Sequence, residues 1–270
     1  MNEKYYGGWL PIDISTHGAG IDRLIGVLHI AMAVLFIGWF VFMMYTLVRF
    51  RQRGGHKADY HVKHFKAPTY IEVGVALFEL VLLTAFAMPL WNQVRTERPP
   101  ADKSLEVRVV AQQFAWNIHY PGGDGKFGKT DPNLMSASNP LGLDSSDGAA
   151  KDDITTINQM HVPVNKPVIV HLSSKDVIHS FTVPVMRVKQ DSIPGETIAL
   201  WFEAKDTGDF EIACAQLCGL GHYRMRGFFI VDTQEKFQQW LAEQAPAAPA
   251  PAEPVVQAAV MPAAGETHHE

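Results

Sequence analysis

At 270 residues with a formal net charge of −5, the chain carries no basic excess that would point to nucleic acid. It has only two cysteines and no CxxCH, which excludes a covalently attached c-type haem on this chain.

Residues 1–20 read as a short external segment, with Gly7-Gly8 and Pro11 arguing against regular structure. A helical hairpin is predicted over 21–95. Leu24 to Val48 is a 25-residue run whose only ionisable group is His29, and Ile71 to Trp91 is a 21-residue run holding Glu72 and Glu79. About 20 apolar residues cross the hydrocarbon core of a bilayer, so both runs predict transmembrane helices. The first is too long for the apolar core of a signal peptide, and no small-residue cleavage site follows it. Between the runs Arg49, Arg51, Arg53, Lys57, Lys63 and Lys66 stand against a single acid, Asp59. Cations in short loops stay cytoplasmic, so this loop faces in and both chain ends face out. Tyr70 and Trp91 fall where the interfacial aromatic belt is expected.

Arg98-Pro99-Pro100 marks the exit from the membrane, and residues 96–244 form the next unit. Val107, Val109 and Ala111 alternate with Glu106, Arg108 and Val110, the period of a half-buried strand. Val168 to Leu172, Thr197 to Phe202, Phe210 to Ala213 and Gly227 to Val231 read the same way, separated by turns such as Pro194-Gly195 and Thr207-Gly208. Short strands so punctuated predict an all-β sandwich or barrel. The Gly/Asp/Ser/Asn-rich stretch between Tyr120 and Ile157 reads as a mobile loop, with a binding surface as the alternative. Asp232-Thr233-Gln234-Glu235 opens a helix that places Phe237, Trp240 and Leu241 on one face. Residues 245–270 are Ala/Pro-rich, a disordered composition ending in His268-His269-Glu270, read as solvated rather than metal-binding.

The chemistry concentrates in Cys214-Ala215-Gln216-Leu217-Cys218-Gly219-Leu220-Gly221-His222-Tyr223-Arg224-Met225. Two thiols, an imidazole and a thioether are soft or borderline donors, which favour copper or zinc over magnesium, calcium or manganese. Structural zinc prefers CxxC knuckles and paired histidines, and methionine is a poor zinc ligand. Copper electron-transfer sites use thiolate, imidazole and a weak axial methionine. A second thiolate can bridge two copper ions, each needing its own histidine, and His179 is the best candidate for the second, closing an alternating apolar segment as a strand-end ligand. The plainer alternatives are a Cys214–Cys218 disulfide and a buried, satisfied His179.

This cysteine run, His179-Ser180-Phe181 and Lys189-Gln190-Asp191-Ser192-Ile193-Pro194-Gly195 resemble subunit II of haem–copper cytochrome c oxidase, over roughly residues 20–240 including the membrane segments. The resemblance implies a two-helix transmembrane hairpin followed by an all-β, cupredoxin-like Greek-key domain. It implies that Cys214 and Cys218 bridge the two copper ions of a CuA centre, that His179 and His222 bind one each, and that Met225 and the carbonyl of Gln216 complete the set. Asp176 and Asp191 are expected to support those ligands. Electrons would come from a c-type cytochrome, soluble or membrane-bound, through the Phe114 and Trp116 region, and pass to haem in subunit I, where oxygen is reduced. Subunit I and the other oxidase subunits are thus the implied partners, in a bacterial inner membrane with the copper domain on the periplasmic side. A CuA-containing subunit of a nitric oxide reductase is the alternative.

The chain departs from the family pattern twice. Gln216 stands where a glutamate also holds a magnesium or manganese ion at the subunit I boundary, and a neutral amide is a weaker ligand for a hard cation. Phe114, in Gln113-Phe114-Ala115-Trp116, stands where a tryptophan receives electrons. In the membrane, the resemblance places Glu72 at the mouth of a proton path into subunit I. Glu79 has no counterpart in that pattern and is a candidate for proton uptake because intramembrane acids are costly.

Overall fold

The computed structural model describes residues 10–55, 57, 61 and 65–245. The expectations for Gly7-Gly8, Asp59 and Lys63 and for the tail beyond residue 245 lie outside them. Helix α1 runs Gly18–Arg49. The second long helix comprises α2 Ala67–Val81, a π-helical turn Leu82–Ala87, and α3 Met88–Arg95. The widened turn has a local cause in Pro89, which lacks an N–H and whose ring crowds the carbonyl four residues back at Ala85. Both helices are longer than the apolar runs read from sequence, at 32 and 29 residues. Large apolar side chains, Phe36 and Trp39 among them, point outward all around α1. A helix apolar on every side and not buried in its own chain requires lipid or another protein around it.

The β unit is a sandwich of two five-stranded sheets. Its strands are β1 Leu105–Gln112, β2 Ala115–Tyr120, β3 Ile154–Ile157, β4 Gln159–Pro163, β5 Pro167–Ser174, β6 His179–Val183, β7 Val188–Ser192, β8 Ile198–Glu203, β9 Gly208–Cys214 and β10 Arg226–Asp232. One sheet has the order β3-β2-β1-β5-β8 and the other β4-β10-β9-β6-β7. β1 pairs in parallel with β5 and β10 with β4, while their other neighbours are antiparallel. Alternation along β1 buries Val107, Val109 and Ala111 against Phe181, Ile212 and Phe229 of the facing sheet. Each buried Val, Ile or Phe among them contributes about 1.5–3 kcal/mol. Thr233 caps helix α4 Gln234–Gln244 by accepting from the Lys236 N–H, and Phe237 and Trp240 are buried beneath it.

Two segments outside the strands are tied down by specific contacts. Among the described residues, the irregular segment 10–17 before α1 docks on the β unit. Ile14 and Ser15 are buried, the Ile14 and Thr16 N–H groups donate to Val185 and Glu203 (3.0 and 3.1 Å), and Lys205 N–H donates back to Ile14 (2.7 Å). The segment thereby pairs with the C-terminal end of β8, through a bridge between Ser15 and Ala204, and satisfies peptide groups there. The stretch after Tyr120 is also organised, by side chains that cap its own backbone. Asp124, Asp131, Asp144 and Asp147 each accept from a nearby N–H. Buried Asp153 accepts from Gly128 N–H (2.8 Å) and pairs with His119 Nε2 (2.6 Å).

The β unit is joined to α1 through Arg187. Its guanidinium takes both carboxylate oxygens of Asp22 (2.7 and 2.8 Å) and the carbonyls of Pro11, Ile12 and Pro184 (2.6, 3.4 and 2.6 Å). All five N–H donors of the fork are engaged.

Candidate metal centre

β6 and β9 are antiparallel neighbours, with Phe181 opposite Cys214. His179 opens β6 rather than closing the preceding segment, and this pairing carries it to the end of β9, where the cysteine loop departs. The loop is pinned at its base by Ala215 N–H to Ser180 O (3.0 Å) and Cys214 N–H to Met225 O (3.2 Å).

Six donor atoms converge there. Cys214 Sγ and Cys218 Sγ lie 3.8 Å apart, well beyond the ~2 Å of a disulfide bond, and both cysteines are free. His179 Nδ1 lies 4.0 Å from Cys214 Sγ and 3.2 Å from Met225 Sδ. His222 Nδ1 and Met225 Sδ are each 3.7 Å from Cys218 Sγ. The carbonyl of Gln216 lies 3.1 Å from Cys214 Sγ. His179, Cys218 and Met225 are buried and Cys214 half-buried, so bulk water is largely kept out.

The electrostatics favour a neutral thiol unless a cation is bound. Burial, and then the neighbouring Cys214, push the Cys218 thiol up to about 11. Two thiolates this close therefore need a positive charge between them, and loading a metal would release protons. Nε2 of His179 lies 2.8 Å from Asp176 Oδ1. A carboxylate accepts and cannot donate, so Nε2 carries the proton and Nδ1 turns its lone pair to the cluster. Burial opposes ionisation of Asp176, yet hydrogen bonds from His179 and from the Gln113 and Val177 N–H groups hold its carboxyl below the usual range.

The model for the periplasmic domain of cytochrome c oxidase subunit II matches residues 105–231. The alternative cytochrome c oxidase subunit 2 of Bradyrhizobium diazoefficiens is 35% identical over 237 residues, spanning 87% of this chain and 83% of the relative. The chain belongs to the cytochrome c oxidase subunit II family. Subunit 2 of Cereibacter sphaeroides is 33% identical over 237 residues, covering 83% and 75% of the two chains. The crystal structure of the periplasmic domain of subunit II (CoxB) of Bradyrhizobium japonicum is 32% identical, covers 55% of this chain and 96% of its own, and gives a TM-score of 0.40. By its family the chain is a cytochrome c oxidase subunit, with two apolar helices ahead of a copper-binding, cupredoxin-like domain.

The remaining subunit II residues singled out from sequence fall at varied distances from the cluster. Phe114 is half-buried and lies on the cysteine loop. A Cβ at Gly221 would sit 2.4 Å from its ring, and one at Gly219, whose φ is +134°, 2.8 Å from Gln113 Nε2. Trp116 is fully buried, edge-on to His179 at 6.2 Å between centroids. The Gln216 side chain is exposed. The structure does not bring Asp191 to the cluster. Alternation along β7 turns Ser192 inward and leaves Asp191 exposed. Glu72 and Glu79 lie on the outer surface of α2.

One contributor was missed from sequence. Gln113 donates its N–H to Asp176 (2.6 Å) and its Nε2 to the Cys218 carbonyl (2.7 Å), tying both ligand loops to β1. The only signal was its place beside Phe114.

Proposed function

We propose that this chain accepts electrons from a c-type cytochrome at a binuclear copper (CuA) centre and passes them to haem in subunit I of a bacterial respiratory oxidase. The observation that carries this reading is the meeting of two thiols, two imidazoles, a thioether and a peptide carbonyl at one point, with His179, Cys218 and Met225 buried. Cys214 and Cys218 would bridge the two ions, His179 and His222 would each hold one, and Met225 and the Gln216 carbonyl would be the weak partners. Bound there, copper supplies one-electron redox chemistry. The chain's own part is to hold the ligands still. The peptide bonds at the loop base, the Gln113 bridge and the Asp176–His179 pair fix their positions, and burial keeps water away.

Exposed Val177, Ile178, Leu217, Leu220 and Tyr223 ring the two ligand loops. An apolar rim of this kind supports a face covered by partner proteins, the cytochrome on one side and subunit I on the other. Phe114 borders that face, and Trp116 continues inward to His179, so both are assigned to the electron path. The exposed amide of Gln216 supports a weakened magnesium or manganese site. Both termini and the copper domain are assigned to the periplasmic side, supported by the cations following α1. Glu72 is assigned to proton uptake on the inner side, with Glu79 two turns deeper.

Metal analysis and electron paramagnetic resonance of the purified chain test the reading. The expected result is two coppers per chain with an unpaired electron shared between them. A single copper, or zinc as the main metal, defeats it.

A further inference from the structure

Where the outer ends of the helical hairpin meet the β unit, a groove of about 500 Å³ opens, a volume in the range of ligand sites. Its floor includes Leu24 of α1, Leu90 and Trp91 of α2–α3 and Trp201 of β8, and its charged lining residues are Arg95, Arg187 and Lys189. None of the lining residues is acidic. Arg187 is neutralised by Asp22. Arg95 meets only the neutral Gln190 amide, and among the described residues Lys189 has no ion-pair partner. Two cations therefore stand over an apolar trough without counter-charge. Trp201 adds an indole Nε1 that is buried and has no hydrogen-bond partner.

We propose that this groove binds an anionic phospholipid, the phosphate held by Arg95 and Lys189 and an acyl chain lying along Leu24 and Leu90. A charged head over an apolar body is the chemistry of that ligand. The site's height agrees, because the floor is built from the first turns of α1 and the last turns of α3 and carries Trp91, an interfacial residue type. An arginine fork grips a phosphate in two places and a lysine adds a point charge. A neutral lipid would leave the cations uncompensated. The proposal goes beyond electron transfer but rests on both helices crossing the membrane.

The test is native mass spectrometry of the full chain released from nanodiscs of equimolar phosphatidylcholine and phosphatidylglycerol. Wild type should retain one phosphatidylglycerol in preference to phosphatidylcholine. Arg95→Gln with Lys189→Gln should lose it, while Lys205→Gln, which lies outside the groove and pairs with Asp13 (3.4 Å), should keep it. Copper content serves as the check that the double variant is folded. Insertion with equal retention of both lipids, or retention by the double variant, overturns the site alone. Failure to enter the nanodisc overturns the spans, and the lipid site with them. In the assembled oxidase, a photo-crosslinker at position 189 should capture lipid, and capture of a partner-subunit peptide instead overturns the proposal.

Discussion

Within the cluster the donors are unequal, and substitution should reveal the ranking. Met225 offers a soft, weak thioether, so Met225→Leu should keep copper while shifting the reduction potential and the visible spectrum. Loss of copper in that variant would mean that the thioether is a principal ligand. Cys218 lies between Cys214, His222 and Met225, so Cys218→Ser should abolish the shared-electron signal altogether. A retained signal would rule out the bridging assignment. Asp176 acts through His179, whose tautomer it fixes, and through Gln113. Removing a carboxylate that orients a ligating histidine typically weakens metal binding about 10–100-fold. Asp176→Asn should show this loss in copper competition with a chelator, and an unchanged affinity would reduce Asp176 to a loop cap.

At the level of elements, Arg187 is the joint between the β unit and α1. Its side chain is nearly buried while Asp22 is about a third exposed, at 8% and 29%, so the pair is worth more than a surface ion pair and less than a buried one. Arg187→Leu would take the side-chain donor from the Pro11 and Ile12 carbonyls and the Asp22 carboxylate, while Pro184 keeps the main-chain N–H of residue 187 (3.1 Å). A loss of about 2 kcal/mol is expected, from hydrogen bonds to a charged group, read as a lower unfolding midpoint with the copper spectrum intact. An unchanged midpoint would show that the junction depends on other contacts. On α2, Glu72→Gln in the assembled enzyme should slow proton-coupled reduction of the active site, and a wild-type rate with full copper content would remove Glu72 from the proton path. The joint was not legible in the sequence, because an ion pair between residues 165 positions apart leaves no local pattern. β1 was legible because one face is buried and the other is not. β2 and β6 were not, being buried on almost every residue, so the period-two signal vanished. The metal donors stood out because five of the six fall in twelve consecutive residues, whereas Gln113 acts on them across about a hundred.

On the scale of the whole molecule, the proposed function has the β domain meet a cytochrome donor and a partner in the membrane, and charge and apolar surface pull differently there. Residues 97–240 hold 18 acids and 14 lysines and arginines, a net of −4, which favours a basic cytochrome at long range. The loops around the cluster tell a different story, with Leu217, Leu220 and Tyr223 at 76%, 97% and 85% exposure. Apolar contact sets how well the donor seats and is nearly indifferent to salt. Long-range attraction is screened within about 8–10 Å at physiological ionic strength. If steering dominates, turnover with a basic soluble cytochrome c should fall as salt rises, and Leu220→Ala should leave the slope of that fall unchanged while lowering the rate at every salt concentration. A flat salt profile would reject steering and favour a tethered or membrane-bound donor, one that reaches the Phe114 face without needing attraction from solution.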